Sequence, residues 1–333
     1  MMPRDYPRLR LRGIPDIRLL RPGGEPRPRR RLLAREVFRL AFYLPHDHAD
    51  IALGVSQAID RYVRAVGEGP KTLHHVSLSH DEGGPLTVER WAWVRRLLLE
   101  TRRWTFPDDY EGWERAAIEK RRFERGLLFT GGVGIQNGYA LEYKARIPWR
   151  PEAPFTSLLT ATLPLDYLEA HGPGPVRQLA LDMAAPLRFA SGHAGLALRI
   201  QGPLAPRDAA FRFEALRHPG IDLREAWGQE EWMGERIDGV HWLNFIGPPV
   251  LSRLGGMKAL SARLHLAQGS VEALDAERIV ISLGPQPDAG TSLPSYRELA
   301  GILEPWLEPP PARPPPLHFT ADEARHWWRR FLD

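Results

Sequence analysis

The chain has 333 residues, of which 43% are hydrophobic and 26% charged, an ordinary balance for a folded protein with a substantial core. It contains no cysteine, which excludes disulfides and thiolate metal sites and makes a reducing cytoplasm the expected location. No apolar run approaches the roughly 18 residues of a membrane span, and no secretory signal is predicted at the N-terminus.

The net charge of +4 is unevenly distributed along the chain. Residues 1–36 hold 11 arginines and only four acids, whereas the remainder is mildly acidic. Such a leader can bind nucleic acid through Arg27–Arg31. It contains a single aromatic residue, Tyr6, however, and single-strand binders interleave aromatic with basic residues. We therefore interpret residues 1–36 as a solvated, partly disordered extension, and direct nucleic-acid binding is not expected.

Hydrophobic periodicity predicts these elements in the first half: a strand over 36–44, a helix over 50–66, a strand over 72–79, helices with loops over 85–125 and a strand over 138–147. The first helix is indicated by Ile51, Val55 and Ile59, which recur at helical spacing. Gly67 and Pro70 are expected to end it.

In the second half the predicted elements are a strand over 157–164, a helix over 166–185, strands over 192–200 and 236–247, a helix over 248–264, a strand over 276–284 and a helix over 296–307. A polyproline spacer follows over 309–316. Thr320 and Glu323 then form a predicted capping box for a final helix. We expect Trp327, Trp328 and Phe331 to pack that helix onto the body.

Strands and helices are both numerous but do not alternate strictly. The pattern favours an α+β fold with a mixed, largely antiparallel sheet, helices packed on it, and strand–helix–strand units. We predict three regions: the Arg/Pro-rich extension 1–36, an α+β domain over 37–308, and a Pro-rich spacer with a docking helix over 309–333. Division of the domain into two similar halves, with a break near 148–155, stays open.

The run His46-x-His48-x-Asp50 at the start of the first helix offers a ligand set suited to zinc or another first-row metal. A metal-dependent hydrolase that uses these residues, with His193 as a further ligand, is the alternative function. Against it, the position after Asp50 is Ile51, which fits the apolar face of the helix. A carboxylate in the first helical turn also favours the helix dipole, and we therefore prefer to interpret the run as a strand-to-helix corner.

Other segments resemble catalytic or nucleotide-binding motifs but lack one of the residues that those motifs require. "SGHAG" (Ser191–Gly195) lacks the first glycine of a nucleophile elbow, because that position is Phe189, and we interpret it as a turn that feeds a strand. "GGVGIQNG" (Gly131–Gly138) lacks the third glycine of a dinucleotide fingerprint and predicts a hairpin turn. His241 lies in a predicted apolar strand, at no compelling spacing from other candidate ligands.

Two acidic segments carry tryptophan, "PDDYEGWE" over 107–114 and "EAWGQEEWMGERID" over 225–238. Acids beside aromatic residues suit the binding of a basic partner, although a solvated face with buried indoles is the simpler explanation of each segment alone. The candidate partner-binding residues are Asp108, Asp109, Glu111, Trp113, Glu230, Glu231, Trp232 and Glu235.

Several blocks of sequence together resemble one family. They include "FYLPHDHADIALGVSQAIDRYV" near the start, "RHPGID" (Arg217–Asp222) and "RIDGVHWLNFIGPPVLSRLGG" (Arg236–Gly256), followed by Leu274–Gly290 and Leu293–Leu307. The long block Tyr167–Leu198 belongs with them. They are similar to the bacterial type VI immunity family, and the resemblance covers most of residues 37–333.

The resemblance implies a cytoplasmic antitoxin that binds and neutralises a cognate effector toxin of the type VI secretion system. Some of these effectors are nucleases, and the mildly acidic body fits a partner with a basic DNA-binding cleft. Immunity of this kind requires only occlusion of the toxin. We therefore expect no enzymatic activity, no cofactor, and no catalytic or metal-binding residues.

Overall fold

The computed structural model describes residues 6–13, 31–78, 83–100, 125–131, 135–146, 154–201, 208–224, 231–290, 293–309 and 319–333. The strands in these residues are β1 (Leu11–Gly13), β2 (Arg31–Leu44), β3 (His75–Leu78), β4 (Gly84–Pro85), β5 (Gly126–Thr130), β6 (Ala140–Lys144), β7 (Ser157–Leu163), β8 (Ser191–Ile200), β9 (Leu243–Ile246), β10 (Ser270–Ala273) and β11 (Ile279–Ser282).

The helices in the same residues are α1 (His48–Val66), α2 (Val88–Leu99), α3 (Leu165–His171), α4 (Pro173–Ala184), α5 (Ala209–Leu216), α6 (Val250–Arg253), α7 (Gly256–Arg263), α8 (Pro294–Leu303) and α9 (Ala321–Trp328). A 3-10 turn, Glu304–Trp306, extends α8. Among these helices none has both the length and the apolar character that crossing a bilayer requires.

The strands form one sheet in the order β10-β11-β9-β8-β2-β7-β6-β5-β3-β4, with β1 beside the start of β2. Every pairing between these strands is antiparallel. Parallel pairing in the described residues is limited to isolated bridges. The α+β prediction is therefore confirmed, with a sheet that is more uniformly antiparallel than expected.

Strand β2 lies at the centre of the sheet, because β8 pairs with it along Ala34–Tyr43 and β7 pairs along Phe38–Leu44. Its side chains alternate between two faces, as in any strand. Phe38 and Phe42 join the main hydrophobic core together with Val55 of α1. The periodicity of "EVFRLAFYL" and of the first helix thus places the apolar residues as predicted. A second core forms around β9, β11, α6, α7 and α8.

Two predicted helices are interrupted by glycines. The predicted helix 166–185 is two helices, α3 and α4, that meet at Gly172, and the predicted helix 248–264 is α6 and α7, separated at Gly255. The predicted helix over 296–307 corresponds to α8 and its 3-10 turn. In the 85–125 region α2 is helical, and residues 101–124 lie outside the described residues.

The long strand predicted over 236–247 is wrong, because only Leu243–Ile246 forms a strand. Before it, the Asn244 side chain accepts a hydrogen bond from the backbone N–H of His241 and donates to the carbonyl of the same residue. This local side-chain bonding replaces the ladder that a strand requires. The polar residues of the segment turn instead toward charged partners in the interior.

"SGHAG" is not a turn that feeds a strand, as expected, but part of β8 itself. Gly192 lies opposite Phe42 on β2. A Cβ atom at Gly192 would lie 2.7 Å from the carbonyl oxygen of Ala41 and 2.8 Å from the Phe42 ring. The glycine therefore allows close packing between two central strands. The hairpin prediction is confirmed, because β5 and β6 pair across the loop that contains Gly138.

Residues 6–13 lie against the body and are not the solvated tail that was expected. Strand β1 pairs with the first residues of β2, and Arg10 lies 2.8 Å from the buried carboxylate of Glu36. Arg8 forms ion pairs with Glu36, Asp166 and Glu169. Strand β2 also begins at Arg31, before the predicted domain start. The three-region division of the chain stays a prediction.

The last helix begins at the predicted capping box, which is confirmed by reciprocal hydrogen bonds between Thr320 and Glu323. Trp327 is buried in the main core, and Phe331 in the second core. Helix α9 and the turn that follows it therefore contact both cores.

The close packing at Gly192 yields a test of the sheet. We expect Gly192→Ala to lower the free energy of unfolding by about 1–3 kcal/mol, because the added methyl forces β8 away from β2. The control is Gly301→Ala in α8, where a Cβ would meet nothing within 4 Å. That change should raise stability by about 0.5–1 kcal/mol through helix propensity. Urea denaturation of both variants measures the difference, and equal effects would contradict the packing.

Candidate functional site

Polar side chains occupy the face of β2 that is turned away from α1. Arg35, Arg39 and Tyr43 recur at every fourth position and are all buried, although two of them carry charge. In the register of the central strands, His193 on β8 lies opposite Ala41, so it belongs to the same face. Buried charge within a sheet requires partners, because an unpaired ion in the interior is costly.

The partners come from residues 222–224 and 238–241, which precede β9 in the chain. Asp222 accepts two hydrogen bonds from the Arg224 guanidinium, at 2.9 and 3.1 Å. Arg39 reaches the same carboxylate at 3.4 Å and donates to the carbonyl oxygens of Arg224 and Leu198. The two arginines thus share one carboxylate, and Arg39 is further satisfied by backbone acceptors.

A second carboxylate, Asp238, lies beside this pair. Tyr43 donates a hydrogen bond to Asp238 at 2.8 Å, and His193 Nδ1 lies 2.7 Å from the same oxygen. The rings of His193 and His241 stack 3.7 Å apart and nearly parallel. Gly239 has φ +132°, and a Cβ there would lie 2.9 Å from Arg224, so glycine allows the guanidinium to approach the backbone.

Glu308 completes the buried ionic cluster, which we define as Arg39, His193, Asp222, Arg224, Asp238, His241 and Glu308. Its carboxylate lies 3.5 Å from Arg224 and is buried after α8. Helix α9 lies over the cluster, where Arg224 faces the rings of Trp327 and Trp328 at 5.7 and 5.9 Å. Such distances are typical of cation–π contacts. The C-terminal helix therefore shields the cluster from solvent.

Burial and pairing set the protonation states within the cluster. Burial alone would raise the pKa of Asp222, but Arg224 and Arg39 hold it far below its usual value, so the carboxylate stays ionised. Burial lowers the pKa of His241 to about 3, which keeps this imidazole neutral. Burial raises the pKa of Glu308, against the opposing effect of Arg224. The cluster thus combines the ionised carboxylate of Asp222, held by two arginines, with the neutral imidazole of His241.

Four members of the cluster have the residue types of a metal site. Ligand-type atoms of His193, Asp222, Asp238 and His241 lie within 4.8 Å of one another. However, Arg224 Nη2 already lies 3.0 Å from His241 Nε2 and close to Asp222. The imidazole lone pairs lie in the ring planes, and two stacked parallel planes do not converge on one ion. The geometry therefore fits guanidinium pairing better than metal coordination.

The His-x-His-x-Asp run does not join this cluster. No second group of this kind occurs in the part of the chain that the structure describes. His48 is the first residue of α1, after an N-cap at Asp47, and Asp50 lies in the first turn. His48 Nε2 donates to the carbonyl of Leu98, and Nδ1 accepts a hydrogen bond from Tyr143. The run is a strand-to-helix corner, and His48 is a buried structural residue.

Of the predicted partner-binding residues, five lie outside the described residues: Asp108, Asp109, Glu111, Trp113 and Glu230. Glu231, Trp232 and Glu235 are exposed, and they lie directly before the buried part of the loop. The Trp232 indole N–H donates to Glu308, so this surface is connected to the cluster below it. Their role in binding stays a prediction.

The sequence interpretation missed most of the cluster, including Arg39, Asp222, Arg224 and Glu308. One signal was present in β2, where charged residues four apart interrupt an apolar strand and so occupy one face. That pattern predicts buried partners but does not identify them. Asp222 lies two residues from Arg224 but 183 from Arg39, and Glu308 lies 84 residues from Arg224, so local spacing connects only the first of these pairs.

The geometry defines an α+β protein in which the one described group of histidines and carboxylates with the residue types of a metal site is buried. A family model described as "TsiV: Type VI immunity for VRR-NUC" matches residues 135–331, which is more than half of the chain. The chain therefore belongs to the TsiV family of type VI immunity proteins. It is an immunity protein against a VRR-NUC nuclease effector, and membership of this family implies a non-enzymatic function.

The fold also has a counterpart among solved structures. The Pseudomonas aeruginosa T6SS protein PA0821 aligns with a TM-score of 0.71 and 20% identity, over 97% of this chain and 87% of that chain. At this identity the likeness establishes the fold alone. No curated protein matches the chain. The family match confirms the resemblance to type VI immunity proteins. It also confirms that the effector is a nuclease, of the VRR-NUC class.

The buried corner histidine yields a pH test. Burial lowers the pKa of His48 to about 4, below that of an unfolded histidine, so its contribution to stability is complete above about pH 6.5 and is lost as the pH falls toward 4. At pH 5 the loss is roughly 2 kcal/mol. His48→Gln retains both hydrogen bonds but does not titrate. Between pH 7 and pH 5, we expect the unfolding free energy of His48→Gln to fall by about 2 kcal/mol less than that of the parent chain.

The control for this test is His326→Gln, the same substitution at an exposed position of α9. Denaturant titrations at pH 7 and pH 5 measure all three proteins. If His48→Gln loses as much stability as the parent, His48 is not a neutral buried residue in the folded state.

Proposed function

We propose that the protein acts in the cytoplasm by binding a VRR-NUC nuclease and covering the surface through which that nuclease contacts DNA. The observation that carries this proposal is the complete burial of the ionic cluster in a member of this immunity family. His193, Asp222, Asp238 and His241 are each at most 3% exposed. A substrate has no route to these groups, so neutralisation by stoichiometric binding is favoured over enzymatic inactivation.

Charge supports the choice of surface on the partner. A nuclease must attract a polyanion, so its DNA-contacting region carries basic residues. The body of this chain is mildly acidic, and its two Trp-bearing segments concentrate carboxylates. Complementary charge gives such a pair rapid and selective association. Exposed Glu231 and Glu235 are the described members of the partner-binding set that we propose, with Trp232 between them.

Two of the basic N-terminal residues, Arg8 and Arg10, do not argue for nucleic-acid binding. Arg8 and Arg10 contact Glu36, Asp166 and Glu169 of the same chain. Their charge is thus compensated within the protein, which leaves less of it for an external polyanion. This arrangement supports a protein partner over DNA as the direct ligand.

The test uses the nuclease encoded beside this chain. DNA cleavage is measured while the chain is titrated against a fixed amount of the nuclease. We expect inhibition to rise linearly, to be complete near one equivalent, and to be unaffected by longer preincubation. A nuclease that does not belong to the VRR-NUC class is the specificity control and should retain full activity.

Two outcomes contradict the proposal. Absence of a complex in gel filtration, together with unimpaired cleavage, removes binding as the mechanism. Progressive inactivation by a small fraction of an equivalent indicates turnover, and the protein would then act as an enzyme on the nuclease. Recovery of full nuclease activity after the two chains are separated in denaturant and refolded supports occlusion.

A further inference from the structure

Trp232 is an exposed tryptophan whose ring is nevertheless fixed in place. It is 41% exposed, which makes it one of the large hydrophobic side chains at the described surface. Its indole N–H donates to Glu308, and the other oxygen of Glu308 faces Arg224 at 3.5 Å. The N–H edge of the indole ring is therefore hydrogen-bonded to the buried ionic cluster, while the exposed part of the ring is available to a partner.

The backbone around Trp232 is also held. Met233 is buried against Tyr43 and Leu158. The N–H of Gly234 donates to the carbonyl of Pro154 at 2.8 Å, and Gly234 adopts φ +52°. Further along, the N–H of Ile237 donates to the carbonyl of Trp306 at 2.9 Å. A residue held in this way loses little conformational freedom on binding, which is the general advantage of preorganised contacts.

The charge around this tryptophan indicates the kind of partner it fits. Residues 225–238 contain five acids against Arg236 alone. Asp238 is buried, but Glu231 and Glu235 are exposed on either side of Trp232, so this surface repels nucleic acid and attracts a basic protein surface. Glu235 lies 3.6 Å from Arg253, but both side chains are more than half exposed. Exposed ion pairs contribute little, so Glu235 can exchange Arg253 for a cation of the partner at small cost.

We propose that Trp232 is the anchor residue of the nuclease interface, and that Glu308 and Arg224 are positioning residues that hold its ring toward the basic DNA-contacting surface of the VRR-NUC nuclease. An exposed indole face attracts arginine and lysine through its quadrupole, and Glu231 and Glu235 add charge on either side. The inference rests on the proposed function. It adds the central residue of the interface and the interior groups that orient it.

The first experiment measures the affinity of the purified chain for the nuclease. Trp232→Ala should weaken binding about 30-fold or more, mainly through faster dissociation, because a central tryptophan commonly dominates an interface. Phe213→Ala is the matched control, since Phe213 is an aromatic residue on α5 that is 69% exposed. It should bind within about twofold of the parent chain. Equal effects of the two changes would overturn the anchor role.

The second experiment distinguishes the contribution of the aromatic ring from that of its hydrogen bond to Glu308. Trp232→Phe retains an aromatic ring but has no N–H for Glu308, and should weaken binding about 3- to 10-fold because the ring must be ordered during association. Glu308→Ala removes the acceptor and should have a similar effect. Glu308→Gln retains an oxygen acceptor and should recover most of the affinity. If Glu308→Ala and Glu308→Gln bind as tightly as the parent, Glu308 does not position the ring.

The outcomes remain distinguishable from failure of the proposed function. If the parent chain does not bind the nuclease at all, the proposed function fails. If the parent binds tightly and Trp232→Ala binds equally well, only the anchor role fails. Thermal unfolding of each variant identifies any that do not fold. The comparison of Trp232→Phe with Trp232→Ala still decides the inference, because both changes remove the same hydrogen bond to Glu308 and differ only in the aromatic ring.

Discussion

The guanidinium of Arg224 is buried in the protein interior. Much of the second half of the chain is arranged around that charge. Breaking a buried ion pair by removing one partner typically costs about 3–5 kcal/mol, so such a charge strongly constrains its surroundings. Asp222 meets it in a forked geometry at 2.9 and 3.1 Å. Glu308 approaches from the end of α8, and helix α9 places two indoles over the cation.

The same constraint explains why the segment before β9 is not a strand. Asp238 accepts from Tyr43 and lies beside His193, and His241 lies against Arg224. A regular strand would place alternate residues on opposite faces, whereas these polar groups all turn toward one cluster. Where this irregular segment reaches the surface, the Met233 side chain is buried and the adjacent Trp232 side chain is exposed. Interior electrostatics therefore determine the shape of an exterior surface, which connects the fold to the proposed binding role.

Residue types alone would have suggested enzymatic chemistry here. Two histidines and two aspartates with ligand-type atoms within 4.8 Å of one another resemble a metal site. A Ser-x-His motif, Ser191 to His193, also lies on β8. Geometry decides against this interpretation, because the imidazoles stack, a guanidinium lies among the carboxylates, and no member of the group reaches solvent. An immunity protein that works by occlusion benefits from such a cluster as a rigid support for its surface.

Local patterns predicted the fold well where burial follows periodicity. The alternation in β2 and the helical spacing of Ile51, Val55 and Ile59 identify a strand and a helix that pack together, as observed. Glycine interruptions at Gly172 and Gly255 were missed because both flanking segments keep helical spacing. The whole cluster could not be predicted from sequence. Asp222 with Arg224 and Asp238 with His241 are close in sequence, but they meet Arg39, His193 and Glu308 only in the folded chain. Charged Arg39 within an apolar strand was the available local signal.

Hydrogen–deuterium exchange of the chain, alone and bound to its nuclease, tests the central claim most directly. The claim is that the surface fixed by the buried ionic cluster is the surface that binds the nuclease. The account predicts that complex formation slows exchange most strongly in peptides that cover residues 231–237, with little change in β3 and β5 on the far side of the sheet. Protection confined to other peptides, with exchange over 231–237 unaltered by the nuclease, would contradict the account.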